Sequence, residues 1–199
     1  MAGLVPAIHV LLFFGKTDVD ARDKPGHDGV RGPAMNPLLR PGIVAAIAVL
    51  VLDQASKLWL LFVFDIAHRG AVHVAPFFDL VLAWNTGISY GWFQTETALG
   101  QAVLLAFKAI AVIVLAIWMA RAQSRIATIA LGLIIGGAIG NAIDSLAYGA
   151  VVDFALFHVH IGEKDLSWYV FNLADSAIVA GVAALLYDSF FGVPAVKAP

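Results

Sequence analysis

Of 199 residues, 61% are hydrophobic and 13% are charged, with a mean hydropathy of +0.87. A soluble domain is about 45–50% apolar and about 25% charged, so this composition excludes an ordinary soluble enzyme and points to a chain solvated by lipid. The net charge of −2 offers no basic field for nucleic acid, and the absence of cysteine excludes disulfides, thiolate metal sites and a cysteine nucleophile.

In chain order, residues 1–34 come first as an odd leader. Val5 to Phe14 is too short to cross a bilayer, and the stretch that follows is rich in Asp, Gly and Pro. A signal peptide would need a basic start and a small-x-small site directly after the apolar run, and neither is present. We read the leader as disordered or as a misassigned start, with Met35 opening a single four-span unit over residues 35–199. Four apolar runs follow, over about 41–64, 98–120, 126–148 and 167–190. Each corresponds to roughly 35 Å of helix, enough to span a bilayer core.

Lys and Arg set the orientation. Lys16, Arg22, Lys24, Arg31, Arg40, Arg121, Arg125 and Lys197 flank one side, against Arg69 and Lys164 on the other. Both termini are therefore expected in the cytoplasm, with residues 65–97 and 149–166 on the opposite side. Trp118, Trp168 and Tyr169 fall where interfacial aromatic belts form.

Ionisable groups inside a span cost about 2.5–3.5 kcal/mol each at a helix centre, so their positions carry information. Asp53 and Lys57 are four apart and share a helix face, as a packing pair or as a brace for a site. On the third run, Gly132, Gly136 and Gly140 form a close-packing stripe, while Gly137, Asn141, Asp144 and Ser145 form a polar one. The fourth run carries Asn172, Asp175 and Ser176 on one face. Counted from Trp168, Asp175 should lie roughly 10 Å deep. Between these runs Asp153 adds a carboxylate beside the exit of the third.

Two carboxylates in a partly dry site hold one proton between them, because like charges repel. The ionised member can then activate water while the protonated one supports a carbonyl oxygen, as in aspartic proteases. Composition and spacing leave three readings open: a protease, an ion or proton path, and a packing network without chemistry.

Five segments occur in order: Leu52-Asp53-Gln54-Ala55-Ser56-Lys57, Trp84-Asn85-Thr86-Gly87-Ile88-Ser89-Tyr90-Gly91, Gly136-Gly137-Ala138-Ile139-Gly140-Asn141-Ala142-Ile143-Asp144, Val151-Val152-Asp153-Phe154 and Phe171-Asn172-Leu173-Ala174-Asp175-Ser176. Together they resemble the motif set of the lipoprotein signal peptidases (signal peptidase II) over about residues 40–190. The resemblance implies an all-α membrane protein: a four-helix transmembrane bundle with a small extracytoplasmic β cap and a short amphipathic half-helix, the latter within about residues 65–94. It implies an aspartic endopeptidase of the bacterial inner membrane, active toward the periplasmic face. Such an enzyme removes the signal peptide of a diacylglyceryl-modified prolipoprotein, cutting before the lipidated cysteine. Asp153 and Asp175 would be the catalytic pair. Asp53, Lys57, Asn85, Gly137, Asn141, Asp144 and Asn172 would bind substrate or shape the site. No cofactor, metal or nucleic acid is implied; the partners are the precursor and membrane lipid, and a monomer is expected. The alternatives are an impaired homologue that only binds precursors, and a small transporter or proton carrier.

Ser145 departs from the resemblance, because the family usually has an arginine there. Lys108, alone in the second run, is left either snorkelling or turned inward. His158 and His160 read as a surface pair, since no third ligand accompanies them in sequence. Ser56, Ser89 and Ser176 have no histidine within the runs to activate them. Trp59, Trp84 and Trp92 read as interface anchors. The stretch Val74-Ala75-Pro76-Phe77-Phe78 is expected to rest on the lipid surface.

Overall fold

A computed structural model of the protein describes residues 37–86, 98–162 and 164–192. The elements in order are α1 (Leu39–Phe62), α2 (Ile66–Arg69), β1 (Val72–Ala75), β2 (Phe78–Asn85), α3 (Ala98–Arg121), α4 (Arg125–Tyr148), β3 (Val151–Ile161), β4 (Lys164–Ser167) and α5 (Leu173–Phe191). Four of the helices, α1, α3, α4 and α5, are long and apolar enough to cross a membrane. The readings of residues 1–34, of Trp92 and of the half-helix where it covers 87–97 fall outside the described residues.

Local chemistry sets the helix ends. Pro41 sits in the first turn of α1, where the missing N–H leaves no bond unmade. Ser124 caps α4, its Oγ accepting from the Ile126 and Ala127 N–H groups, and donates to Asp188 Oδ1 at 2.7 Å. That bond ties the α3–α4 turn to the far end of α5. Gly149 closes α4 with φ +72°, a left-handed conformation that disfavours a Cβ.

Helix α4 is the central element, packing against α1, α5 and α3. The glycine stripe explains how. A Cβ on Gly132 would strike the Gly42 backbone, and one on Gly136 the carbonyl of Ala46, so α1 lies directly on this stripe. Gly137 faces the other way: a Cβ there would meet the Ala174 carbonyl of α5 at 2.6 Å. An apolar core of Met119, Ala122, Ala127, Leu131 and Ile135 fills the end near the α3–α4 turn. Polar groups gather at the opposite end, beside the sheet.

The four strands form one antiparallel sheet in the order β1-β2-β3-β4, drawn from both loop segments rather than from the first alone. A register shift between Leu80 and Ala83 gives β2 one extra residue against β3. Beyond this bulge Ala83 pairs with Asp153 and Asn85 with Val151, which sets Asn85 diagonal to Asp153 on one face.

One expected boundary is corrected. The fourth helix begins at Leu173, not near 167, because residues 164–167 are spent on β4 and Phe171 bridges to Ala155. Asn172 then starts the helix as a capping box: its side chain accepts from the Asp175 N–H, and Asp175 accepts from the Asn172 N–H. Asp175 therefore lies in the first helical turn, at the mouth of α5, and not the two further turns inside that counting from Trp168 suggested.

Candidate active site

Three backbone features converge at the sheet end of the helices. Strand β3 leaves α4 directly and carries Asp153, which is buried. Hydrogen bonds from Phe154 N and Ala155 N to Phe171 O, at 3.1 and 2.8 Å, fix the strand against the entry to α5. The capping box then sets Asp175 one turn further on.

Asn172 joins the two acids. Its Nδ2 donates to Asp153 Oδ1 at 2.7 Å and also lies 3.1 Å from Asn141 Oδ1, while its backbone N–H donates to Asp175 Oδ2 at 3.2 Å. Asn141 Nδ2 completes the loop by donating to Asp175 Oδ1 at 2.9 Å. On the sheet side Asn85 Nδ2 donates to Asp153 Oδ2 at 3.1 Å. Each acid thus accepts two N–H donors and is held in one orientation.

Burial first, and the neighbouring Asp175 carboxylate second, push the Asp153 carboxyl up to about 7. The bonds from Asn85 and Asn172 and the charge of Lys57 oppose this without cancelling it. Near neutral pH Asp153 is therefore only partly ionised, where an ordinary aspartic acid would have released its proton.

Behind the acids lies a buried ion cluster. Lys57 Nζ sits 2.8 Å from Asp53 Oδ2 and 2.7 Å from Asp144 Oδ2, and donates to Asn141 Oδ1 at 3.0 Å. The side chains of all three charged residues are at most 2% exposed. Each acid of the cluster also holds a backbone amide: Asp53 Oδ1 accepts from Ala174 N at 3.0 Å, and Asp144 Oδ2 from Val152 N at 3.2 Å. Ala174 directly precedes Asp175, and Val152 directly precedes Asp153. The cluster thus anchors the backbone of both acids from one lysine. These amide bonds, together with Gln54, offset the excess negative charge.

The expected site residues are therefore brought together, but not along one stripe. Asn141 faces Asp175 and Asn172, Asp144 faces Lys57, and Gly137 serves by letting α5 approach. Ser145 turns away toward α3. Lys108 settles its open orientation by donating to Ser145 Oγ at 2.9 Å, and Ser145 donates to the Asn141 carbonyl at 2.8 Å. Lys108 and Ser145 line a cavity of about 210 Å³ with Asn85, Gln101, Leu105 and Gly149. Asn85, at the wall of this cavity, is the residue that donates to Asp153.

Sequence reasoning did not assign Gln54 to the site. Its Nε2 donates to Asp144 Oδ1 at 2.9 Å and to the Gly140 carbonyl at 3.1 Å, bridging α1 to α4. The available signal was an amide inside an apolar span, which needs a partner there.

The family described as Signal peptidase (SPase) II matches residues 45–191. The chain belongs to the signal peptidase II family. It is 76% identical over 161 residues to the lipoprotein signal peptidase of Nitrobacter hamburgensis, covering 81% of this chain and 98% of that protein. Identity to the lipoprotein signal peptidase of Rhodopseudomonas palustris strain CGA009 is 68%, with the same coverage. A solved bacterial membrane enzyme shares the fold with a TM-score of 0.64 at 23% identity, covering 79% of this chain and 92% of that one. Membership makes the chain an aspartic peptidase, a hydrolase of the membrane, and the paired acids at the sheet–helix junction are the groups to test for that chemistry.

Proposed function

We propose that Asp153 and Asp175 form the catalytic dyad of an endopeptidase that removes the signal peptide from diacylglyceryl-modified prolipoproteins, cutting before the lipidated cysteine. The observation that carries this reading is the shared Asn172 clamp on two acids, one of which keeps its proton near neutral pH. In the resting state the two acids share one proton. The ionised acid takes a proton from the attacking water while the protonated one donates to the scissile carbonyl oxygen; as the C–N bond breaks, the proton taken from water passes to the departing amine and a diol hydroxyl returns its proton to the acid that gave it. Asn85, Asn141 and Asn172 hold the two carboxyls in place. Asp53, Lys57 and Asp144 hold the backbone beneath them.

Lys108 supplies the positive charge that Ser145 lacks. Its ammonium has three donors, and the bond to Ser145 uses one. We assign it to steady an acceptor oxygen of the substrate within the cavity beside Asn85.

The chain works as a four-helix transmembrane bundle in the bacterial inner membrane, as a monomer, with both termini cytoplasmic and the dyad toward the periplasmic face. The eight-to-two bias of Lys and Arg supports that orientation. So does the gathering of both loop segments and both acids at one end of the helices. A precursor anchored by its signal helix and acyl chains diffuses laterally, and the bilayer fixes the depth of its scissile bond.

Incubating the purified full chain with a diacylated prolipoprotein, read by mass spectrometry, tests this. The expected product starts at the modified cysteine, and Asp153→Asn and Asp175→Asn each lose at least about a thousandfold in rate. Parental turnover by either variant overturns the dyad, and ion flux in liposomes without cleavage would favour a carrier instead.

A further inference from the structure

The sheet carries a second cluster of chemistry-bearing side chains, on β1, β2 and β3. His73 and Asp79 are direct cross-strand partners. Asp79 in turn pairs with Leu156 of β3, so His158, two residues further, projects on the same face and lies diagonal to it. His73 Nδ1 lies 2.7 Å from Asp79 Oδ1, and His158 Nε2 lies 3.2 Å from Asp79 Oδ2. The surface-pair reading of His158 is thereby corrected: its side chain is 15% exposed and engaged with Asp79. The third ligand that sequence spacing did not supply comes from the neighbouring hairpin. The side chain of His160 lies outside those the structure describes.

We propose that His73, Asp79 and His158 form a zinc-binding site on the outer sheet, separate from the aspartyl pair. Two imidazoles and one carboxylate are a ligand set that zinc takes readily, whereas calcium and magnesium prefer oxygen alone. One ligand atom from each residue can be chosen so that all lie within 4.8 Å of one another. Tetrahedral zinc, with bonds of about 2.0–2.2 Å, needs such atoms about 3.4 Å apart. Small side-chain rotations on a fixed backbone close that gap. His73 is 79% exposed, which gives the ion an entry path and leaves room for a water as fourth ligand.

The place of the site gives it a consequence. His73 and Asp79 bracket the hairpin tip whose Val74 and Phe77 are exposed, so a bound ion clamps the base of that apolar tip. The opposite face of the same sheet region is aromatic, with Phe78 and Phe171 both against Phe157 at ring separations of 5.2 and 5.5 Å. Strands β2 and β3 continue from there to Asn85 and Asp153. The ion would therefore stiffen the two strands that carry one half of the candidate site.

The test is zinc titration of the purified, metal-stripped full chain in detergent by calorimetry, with X-ray absorption at the zinc edge. One ion per chain should bind with proton release, in a shell of two imidazoles and oxygen, and calcium or magnesium should not compete. His73→Gln alters an exposed side chain and leaves the fold intact, and it should weaken binding at least about a hundredfold. His158→Asn should do the same. Absence of saturable zinc binding, or binding that survives His73→Gln, overturns the site. Neither outcome depends on whether the chain cleaves precursors.

Discussion

Helices α3 and α4 are joined by a short turn and have the same length, 24 residues, yet they solve opposite problems. In its most apolar stretch α3 is 6% buried within the protein and has a hydropathy of 2.6, while α4 is 56% buried with a hydropathy of 2.0. The less apolar helix is the more buried one, the reverse of a soluble protein. Lipid is as apolar as any side chain, so burial here is driven by close packing and polar contacts rather than by escape from water. Glycines, Asn141, Asp144 and Ser145 are therefore placed on α4. On α3 the exceptions within the span are Gln101 and Lys108, and both turn toward α4 or its C-cap.

The sharpest way to break this contrast is Lys57→Met. It leaves Asp53 and Asp144 facing each other in a dry interior, and removing one partner of a buried ion cluster costs about 3–5 kcal/mol. Unfolding in detergent should show that loss, and a change under 1 kcal/mol (roughly the worth of an exposed pair) would mean the cluster is solvated. Next, Gly132→Leu drives a side chain into the Gly42 backbone and should cost at least about 1–3 kcal/mol. Val103→Leu, on the lipid-facing side of α3, should stay within about 0.5 kcal/mol by the same assay. Equal costs at the two positions would abolish the distinction between the helices.

Lys108→Met tests the lysine that α3 turns toward α4. It should raise KM for the diacylated precursor about tenfold, the size of a lost charged hydrogen bond, with stability little changed. Adding Ser145→Arg to that variant should recover most of the loss, and an unchanged KM would remove Lys108 from substrate binding. The smallest effect concerns pH. The proposed dyad works with one proton, which Asp153 loses near 7, so the rate should fall as pH rises through about 7. The Asn85 bond favours the ionised form, so Asn85→Ala should move that fall to higher pH by a fraction of a unit. A shift to lower pH would contradict the stated cause.

Much of the site was legible because a polar residue in a span needs a reason. Asp53 and Lys57 at i and i+4, and Asn141 with Asp144 on α4, could be read directly from helical spacing. The entry to α5 could not. Hydropathy continues through Trp168 and Tyr169, and nothing local says that β4 will take residues 164–167 for the sheet. The link from Asp144 to Val152 N and that from Asp53 to Ala174 N were equally hidden, since each joins a side chain to a backbone amide of another element.

Length, hydropathy and helical period determine four span-capable helices and their polar faces, because each of these properties repeats along a single element and needs no partner to be read. The convergence of Asp153 and Asp175 on Asn172, the bond from Lys108 to Ser145, and the meeting of His73 and Asp79 with His158 are decided only by tertiary structure. A strand bulge, a helix cap and the approach of one helix to another set those distances, and all three are settled by packing between residues far apart in the chain.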